Sequence, residues 1–303
     1  MFVLFVALSM IPTTTFAKST VKLNKSKITL YAGNKDTLQL KNAKKVIWKS
    51  SNPQIAIVSS KGRVLAKKEG KCTITATDKQ TNKKYTCKVT IPFKKIPVSL
   101  NANTPWGIKK GHEYFSYKSF RQYVLYTYGD KISRDAIYQP EDISIVDVSS
   151  SYMEPDALLI YKTGSTLLTV TSNAKVYTYQ LDVVDSLLTY DDFTVSNISP
   201  ESDEGDYAVD GKINFCDMLQ FGHMEFTGHN NPDITTFRNI KIGSSLADVY
   251  KAYGCGSYTT QKEVEGEKCF VQYIYFYHSV NYRVYFMIDC NDKVKRISMA
   301  TIN

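Results

Sequence analysis

Between positions 21 and 91, apolar and polar residues alternate in short runs, and turn residues close each run. The runs are 28–30, 37–40, 46–48, 55–58, 63–66, 72–76 and 85–91; Gly33, Asn52-Pro53, Lys61-Gly62 and Glu69-Gly70 punctuate them. A period of two over short segments predicts strands, and many such strands in series predict a β-sandwich. Residues 97–187 repeat the order and spacing. Ile143-Ser-Ile-Val-Asp-Val148 echoes 55–58, the run 162–170 echoes 68–76, and 176–184 echoes the last strand. A second, degenerate sandwich is therefore expected. Its front part, 113–131, is aromatic-rich and fits strand or helix.

The pattern changes over 188–303. Ser244 or Ser245 can cap a helix, with Asp248 closing a capping box behind Ser245. Leu246, Val249, Tyr250 and Tyr253 then lie on one helix face, and Gly254 supplies the stop. Long strands follow at 269–277 and 282–290, with a last one near 294–299. Both faces of the long pair are apolar, so one is expected to meet the helix and the other to need cover. The expected fold is mainly β: two Ig-like sandwiches (18–96 and 97–187) and an α+β domain (188–303) with one helix on an antiparallel sheet.

The chain opens on an apolar run, 2–11, and Thr15-Phe16-Ala17 places small residues where signal peptidase cuts. Residues 1–17 read as a signal peptide, too short for the roughly 20 apolar residues that span a bilayer. No lipid-anchor Cys, second apolar stretch or wall-sorting pattern follows. A secreted protein, free or held to the cell surface without a transmembrane anchor, is expected.

Charge divides the chain. Residues 1–99 hold 20 Lys+Arg against three acids (Asp36, Glu69, Asp78), a net +17; residues 100–303 hold 18 Lys+Arg against 26 Asp+Glu, a net −8. A basic front suits either a solvated lysine surface or attraction to a polyanion. Its basic residues are mostly Lys and are not interleaved with stacking aromatics, so nucleic acid is not the expected partner.

The stretch Trp48-Lys-Ser-Ser-Asn-Pro-Gln-Ile-Ala-Ile-Val-Ser-Ser-Lys-Gly-Arg-Val-Leu-Ala66, with Glu69-Gly-Lys-Cys-Thr-Ile-Thr-Ala76 and Cys87-Lys-Val-Thr-Ile91, closely resembles the bacterial Ig-like group 2 family over residues 21–92. That resemblance implies a surface or spacer module and carries no catalytic residue. The stretch from Phe237 to Gly254 resembles C-terminal domains of Firmicutes secreted proteins. It is distantly similar to the helix-plus-sheet domains of the outer-membrane assembly lipoprotein and β-lactamase-inhibitor group.

Six cysteines in an exported chain point to disulfides. A turn at 78–81 would set Cys72 opposite Cys87, and a turn at 278–281 would set Cys269 opposite Cys290. Direct cross-strand neighbours come close enough to bond. Cys216 and Cys255 remain, paired by elimination or left as thiols.

No zinc helix, Cys-x-x-Cys or Gly-x-Ser-x-Gly elbow occurs. Cys216, Asp217, His223 and His229 are the densest group of possible ligands, and they fit no family spacing. Ser172-Asn-Ala-Lys175 matches a penicillin-binding motif but falls at an expected hairpin turn. Asp203, Asp206 and Asp210 in an acidic loop are candidate calcium ligands without EF-hand spacing. Tyr273, Tyr275, Tyr277 and Tyr282 would form a stacking platform if exposed; if the helix covers them they are core, which their alternation favours. No cofactor and no catalytic residue is expected. The leading expectation is a secreted or surface binding and adhesion protein. Its Ig-like spacers would carry a C-terminal recognition domain, with an anionic envelope polymer, surface glycan or surface protein as partner. The alternative is an accessory or catalytic part of a cell-wall- or carbohydrate-active hydrolase. An inhibitor or assembly factor rests on fold analogy alone.

Overall fold

The computed structural model describes residues 20–100, 113–149, 156–198, 211–217, 222–260, 266–277 and 280–302. The chain divides into two compact units, 1–93 and 94–303. Among the described residues, no helix is long and apolar enough to cross a membrane.

The first unit is a two-sheet sandwich. One sheet has the order Lys27–Thr29, Lys84–Ile91, Gly70–Asp78, Val46–Ser50; the other has Lys35–Thr37, Arg63–Ala66, Ala56–Val58. The first strand pairs parallel with Lys84–Ile91, while the other pairs in both sheets are antiparallel. Alternation sends Ile28, Ile74, Cys87, Val89 and Val64 into one apolar core. The runs read from the sequence all fall on strands or their immediate ends.

The second sandwich has the same strand plan. Lys94–Ser99, Lys175–Val184, Gly164–Ser172 and Ile137–Pro140 form the four-stranded sheet, again with a parallel first pair. Glu113–Ser116, Ala157–Ile160 and Val146–Val148 form the three-stranded one. The correspondence reaches single residues. Asn52 O accepts from the N–H groups of Ile55 and Ala56, and Asp142 O accepts from those of Ile145 and Val146. Gly70 (φ +138°) and Gly164 (φ +146°) open the equivalent strands. A Cβ would stand 2.8 Å from Ile55 Cδ1 in one and 3.0 Å from Ile145 Cδ1 in the other. Both backbones take a conformation that L side chains rarely adopt, and a Cβ would press on the isoleucine δ-methyl. The two sandwiches thus share the turn that seats each isoleucine.

What differs is an insertion, helix α1 (Tyr117–Tyr128), in the aromatic-rich segment. The segment is both strand and helix. Glu113–Ser116 is extended, Ser116 caps the helix by accepting from the Ser119 N–H, and Gly129 ends it in the left-handed conformation.

Helix α2 (Leu246–Tyr253) forms as expected. Ser245 and Asp248 make a reciprocal capping box, and Leu246, Val249, Tyr250 and Tyr253 are the buried face. It packs over a five-stranded antiparallel sheet in the order His223–Thr227, Val294–Ile302, Val280–Ile288, Cys269–Tyr277, Ser257–Thr260. Residues 94–303 share one hydrophobic core. Tyr123 of α1 meets Tyr250 of α2 at 5.3 Å between ring centroids, and Ser119 Oγ accepts from the Tyr258 N–H at 3.0 Å.

The Ser172–Lys175 hairpin turns on Asn173 (φ 49°) and Ala174 (φ 58°). Two successive left-handed residues define the tight turn that favours Asn-Gly. Ala174→Gly is therefore expected to stabilise the protein by about 1 kcal/mol, raising its thermal midpoint by about 2–4 °C for a unit of this size. Thermal unfolding followed by circular dichroism checks this.

Candidate functional site

The five-stranded sheet has two unlike faces. On one, Tyr258, Val271, Phe286, Ile297 and Phe226 form a cross-strand row, and Tyr273, Val284, Met299 and Met224 form the next. All are buried in the core beneath α2. On the other face, three rows run across the strands. Ile274, Arg283, Ala300 and His223 form one; Gln272, Tyr285, Ser298 and Glu225 the second; Thr259, Phe270, Met287, Arg296 and Thr227 the third. None of these residues belongs to the core cluster. Phe270, Gln272, Ile274, Arg283 and Tyr285 are half-exposed. The second apolar face expected to need cover is thus a mixed aromatic and polar surface. Strand spacing of about 4.8 Å gives it a width near 19 Å.

Phe270 and Tyr285 contact edge to face, with ring centroids 5.8 Å apart. Arg296 Nη1 donates to Glu225 Oε2 at 2.8 Å, and Nη2 lies 2.8 Å from Glu267 Oε1. That charged chain fixes one border of the face. The border continues into an open cleft of about 750 Å³ lined by Glu225, Thr227, His229, Lys293 and Arg296. Aromatic surface beside a few fixed hydrogen-bonding groups is what a ligand site requires.

Ser298 Oγ and His223 Nε2 lie 2.6 Å apart, a separation seen between a nucleophile and its base. Ser298 is only 5% exposed, and its hydroxyl is also 3.2 Å from Met224 O. This contact braces the edge strand. Cys216 is buried in a short 3₁₀ turn (Phe215–Asp217), and burial pushes its thiol up to about 12. Burial also raises Cys72, Cys87 and Cys269, and holds Cys255 well above the ordinary range. None of these five is a thiolate nucleophile at neutral pH. Among the described residues, no three His, Cys, Asp or Glu gather as a metal site. Asp217 instead accepts from the Tyr190 hydroxyl, and His229 lies exposed at the cleft. Asp203, Asp206 and Asp210 lie outside the described residues. Ser172, at its hairpin turn, accepts at Oγ from the Ser133 N–H at 2.9 Å.

Of the two readings of the tyrosines, a platform or core, the structure has the core one for those whose side chains are described. Tyr273 and Tyr282 are each 3% exposed. Tyr273 donates to Gly254 O at 2.8 Å, and Tyr282 packs on Phe193 and Phe215. Tyr275 is partly buried against Phe193; the Tyr277 side chain lies outside what is described. The tyrosines serve the helix side of the sheet, and the open side presents their neighbours in sequence.

Both cysteine registers are also corrected, each by two residues. Cys72 faces Val89 and Cys87 faces Ile74, so the two cysteines are diagonal. Asp78 N–H donates to Lys83 O and its carboxylate accepts from Gln80 and Thr81, so the loop is longer than the assumed four-residue turn. Cys269 faces Ile288, because Tyr277 pairs with Val280. Cys290 lies exposed beyond that strand's end. No two of the six cysteines, Cys216 and Cys255 included, are bonded in the structure.

Residues 13–89 match the bacterial Ig-like domain (group 2) family, in agreement with the resemblance read from 21–92. No curated protein matches the chain. Among solved structures, domains 4 and 5 of the S-layer protein SbsC match at 17% identity and TM-score 0.21, over 55% of this chain and 98% of that one. Human protocadherin-24 EC1-2 matches at 10% identity and TM-score 0.19, over 54% and 95%. The Bacteroides ovatus mixed-linkage glucan utilization protein SGBP-B, in complex with a heptasaccharide, matches at 9% identity and TM-score 0.20, over 94% and 68%. At these scores the likenesses carry no argument about function.

Proposed function

We propose that this chain is a secreted or cell-surface binding protein whose Ig-like sandwiches carry a C-terminal recognition domain, and that it recognises a glycan on the open face of the five-stranded sheet. The observation that carries this reading is the make-up of that face. Phe270 and Tyr285 offer rings for the C–H faces of a sugar, while Gln272, Arg283 and Glu225 offer planar hydrogen-bonding groups for its hydroxyls. The site is rigid, since every residue sits on a strand whose other face is locked in the core. The signal peptide read at 1–17 fits an exported protein.

The test is direct titration of the purified full chain with muramidase-solubilised peptidoglycan and with soluble α- and β-glucans. Saturable binding to at least one polysaccharide, with no reducing sugar released, is the expected outcome. Absence of binding across the panel counts against the reading. Turnover would instead place the protein among the hydrolases.

A further inference from the structure

The charge asymmetry of the chain acquires a location in the first unit. Strand alternation in its four-stranded sheet sends Cys72, Ile74, Cys87 and Val89 inward. The outward positions are Lys27 and Thr29; Lys84, Thr86, Lys88 and Thr90; Lys71, Thr73, Thr75 and Thr77; and Ile47 and Lys49. All five lysines are exposed, and no acid lies among them. Of the three acids in residues 1–99, Asp36 is bound to Lys25 at 2.7 Å, Asp78 is buried and held by its own turn, and Glu69 precedes the strand that begins at Gly70. The register sets Lys27 beside Lys88 on adjacent strands, and Lys71 beside Thr90, one pair further along. At about 4.8 Å between strands and 6.7 Å between alternate residues, Lys88 lies within roughly one Debye length, about 8 Å at physiological salt, of both Lys27 and Lys71. Their fields therefore add.

The fold does not demand this. The second sandwich has the same sheet, and its outward positions are Lys95, Pro97 and Ser99; Val176, Thr178, Gln180 and Asp182; Ser165, Leu167, Thr169 and Thr171; and Ile137 and Gln139. That face has one lysine, and Asp182 binds it at 3.1 Å. One copy of a repeated sheet is a carpet of Lys and Thr with no counter-charge, and the other is neutral. Lysine is also disfavoured in strands, so five on one sheet face is a property of the surface.

We propose that the outward Lys/Thr face of the first sandwich binds a flexible polyphosphodiester of the bacterial envelope, of the poly(polyol phosphate) type. Ammonium groups act as point charges toward phosphate, and the interleaved threonine hydroxyls donate to phosphate oxygens. The face carries no aromatic ring on which a base can stack, which argues against nucleic acid. This surface is separate from the sheet face proposed to bind glycan, so the two proposals succeed or fail independently.

The test uses the full chain and purified poly(glycerol phosphate), titrated across a salt series. Three proteins are compared: the native chain, the face variant K27Q/K49Q/K71Q/K84Q/K88Q, and a charge-matched control K35Q/K41Q/K61Q/K67Q/K79Q. Because the altered side chains are exposed, both variants are expected to keep native circular dichroism. The face variant should lose at least thirtyfold in affinity and most of its salt dependence, while the control loses less than fivefold. A five-arginine face variant should retain binding. Equal losses in the two glutamine variants would overturn the proposal, since net charge alone would then explain binding. So would tighter binding of the native chain to duplex DNA than to poly(glycerol phosphate), or no binding at all. In that last case the lysines would only keep the surface soluble.

Discussion

Arg238→Ala is expected to destabilise the second unit by about 3–5 kcal/mol, the range for removing one partner of a buried ion pair. Asp192 is fully buried, and Arg238 grips it with Nε at 2.5 Å and Nη2 at 2.6 Å. The same guanidinium donates to Ala252 O near the end of α2 and to Leu187 O in the segment entering the C-terminal part, both at 2.8 Å. It also stacks on Tyr253, 4.8 Å from the ring centroid. Without it, the Asp192 carboxylate keeps only the Thr189 N–H and hydroxyl. Lysine cannot replace this fork, so Arg238→Lys should recover less than half the loss. Urea unfolding gives the measurement; a loss below 1 kcal/mol for Arg238→Ala would contradict the assignment.

Asp130→Ala is expected to cost a comparable amount, about 3 kcal/mol or more. Asp130 follows the Gly129 cap of α1 and receives Lys94 Nζ at 2.7 Å and the Tyr179 hydroxyl at 2.7 Å. The Lys94 and Asp130 side chains are 9% and 11% exposed, so little water replaces a lost partner. The triad ties the inserted helix to the two strands that form the parallel pair of the second sandwich. Lys94→Met combined with Asp130→Leu should restore much of the stability, because burying neither charge removes the penalty of burying one. Failure of that double variant to exceed Asp130→Ala in urea midpoint would show that the pair is not the source of the loss.

Neither ion pair can be read along the sequence. Asp192 and Arg238 are 46 residues apart and Lys94 and Asp130 are 36 apart, so local pattern does not relate them. What short range encodes was legible. The Ser245–Asp248 box, the face from Leu246 to Tyr253 and the Gly254 stop were read from ten consecutive residues, and the structure reproduces them. The repeated pattern was legible because the runs 143–148, 162–170 and 176–184 echo those of the first sandwich, and Ile55 with Gly70 and Ile145 with Gly164 make the same contact in both. Hairpin registers were not legible, because a loop's length depends on side-chain bonds such as those of Asp78. A shift of two residues keeps every side chain on its face and still separates two cysteines. The candidate face was half legible. Alternation along 269–277 sets Tyr273 and Phe270 on opposite sides of the sheet, but only packing decides which side the helix covers.

The measurement that bears most directly on the proposed function compares the native chain with Phe270→Ala/Tyr285→Ala in titrations against whichever solubilised polysaccharide binds. Both side chains are half-exposed and outside the core, so the variant should fold. Loss of the rings is predicted to weaken binding at least tenfold, about 1.4 kcal/mol, with native circular dichroism and urea midpoint largely retained. Unchanged affinity in a folded variant would contradict the account and place recognition away from the open face of the sheet.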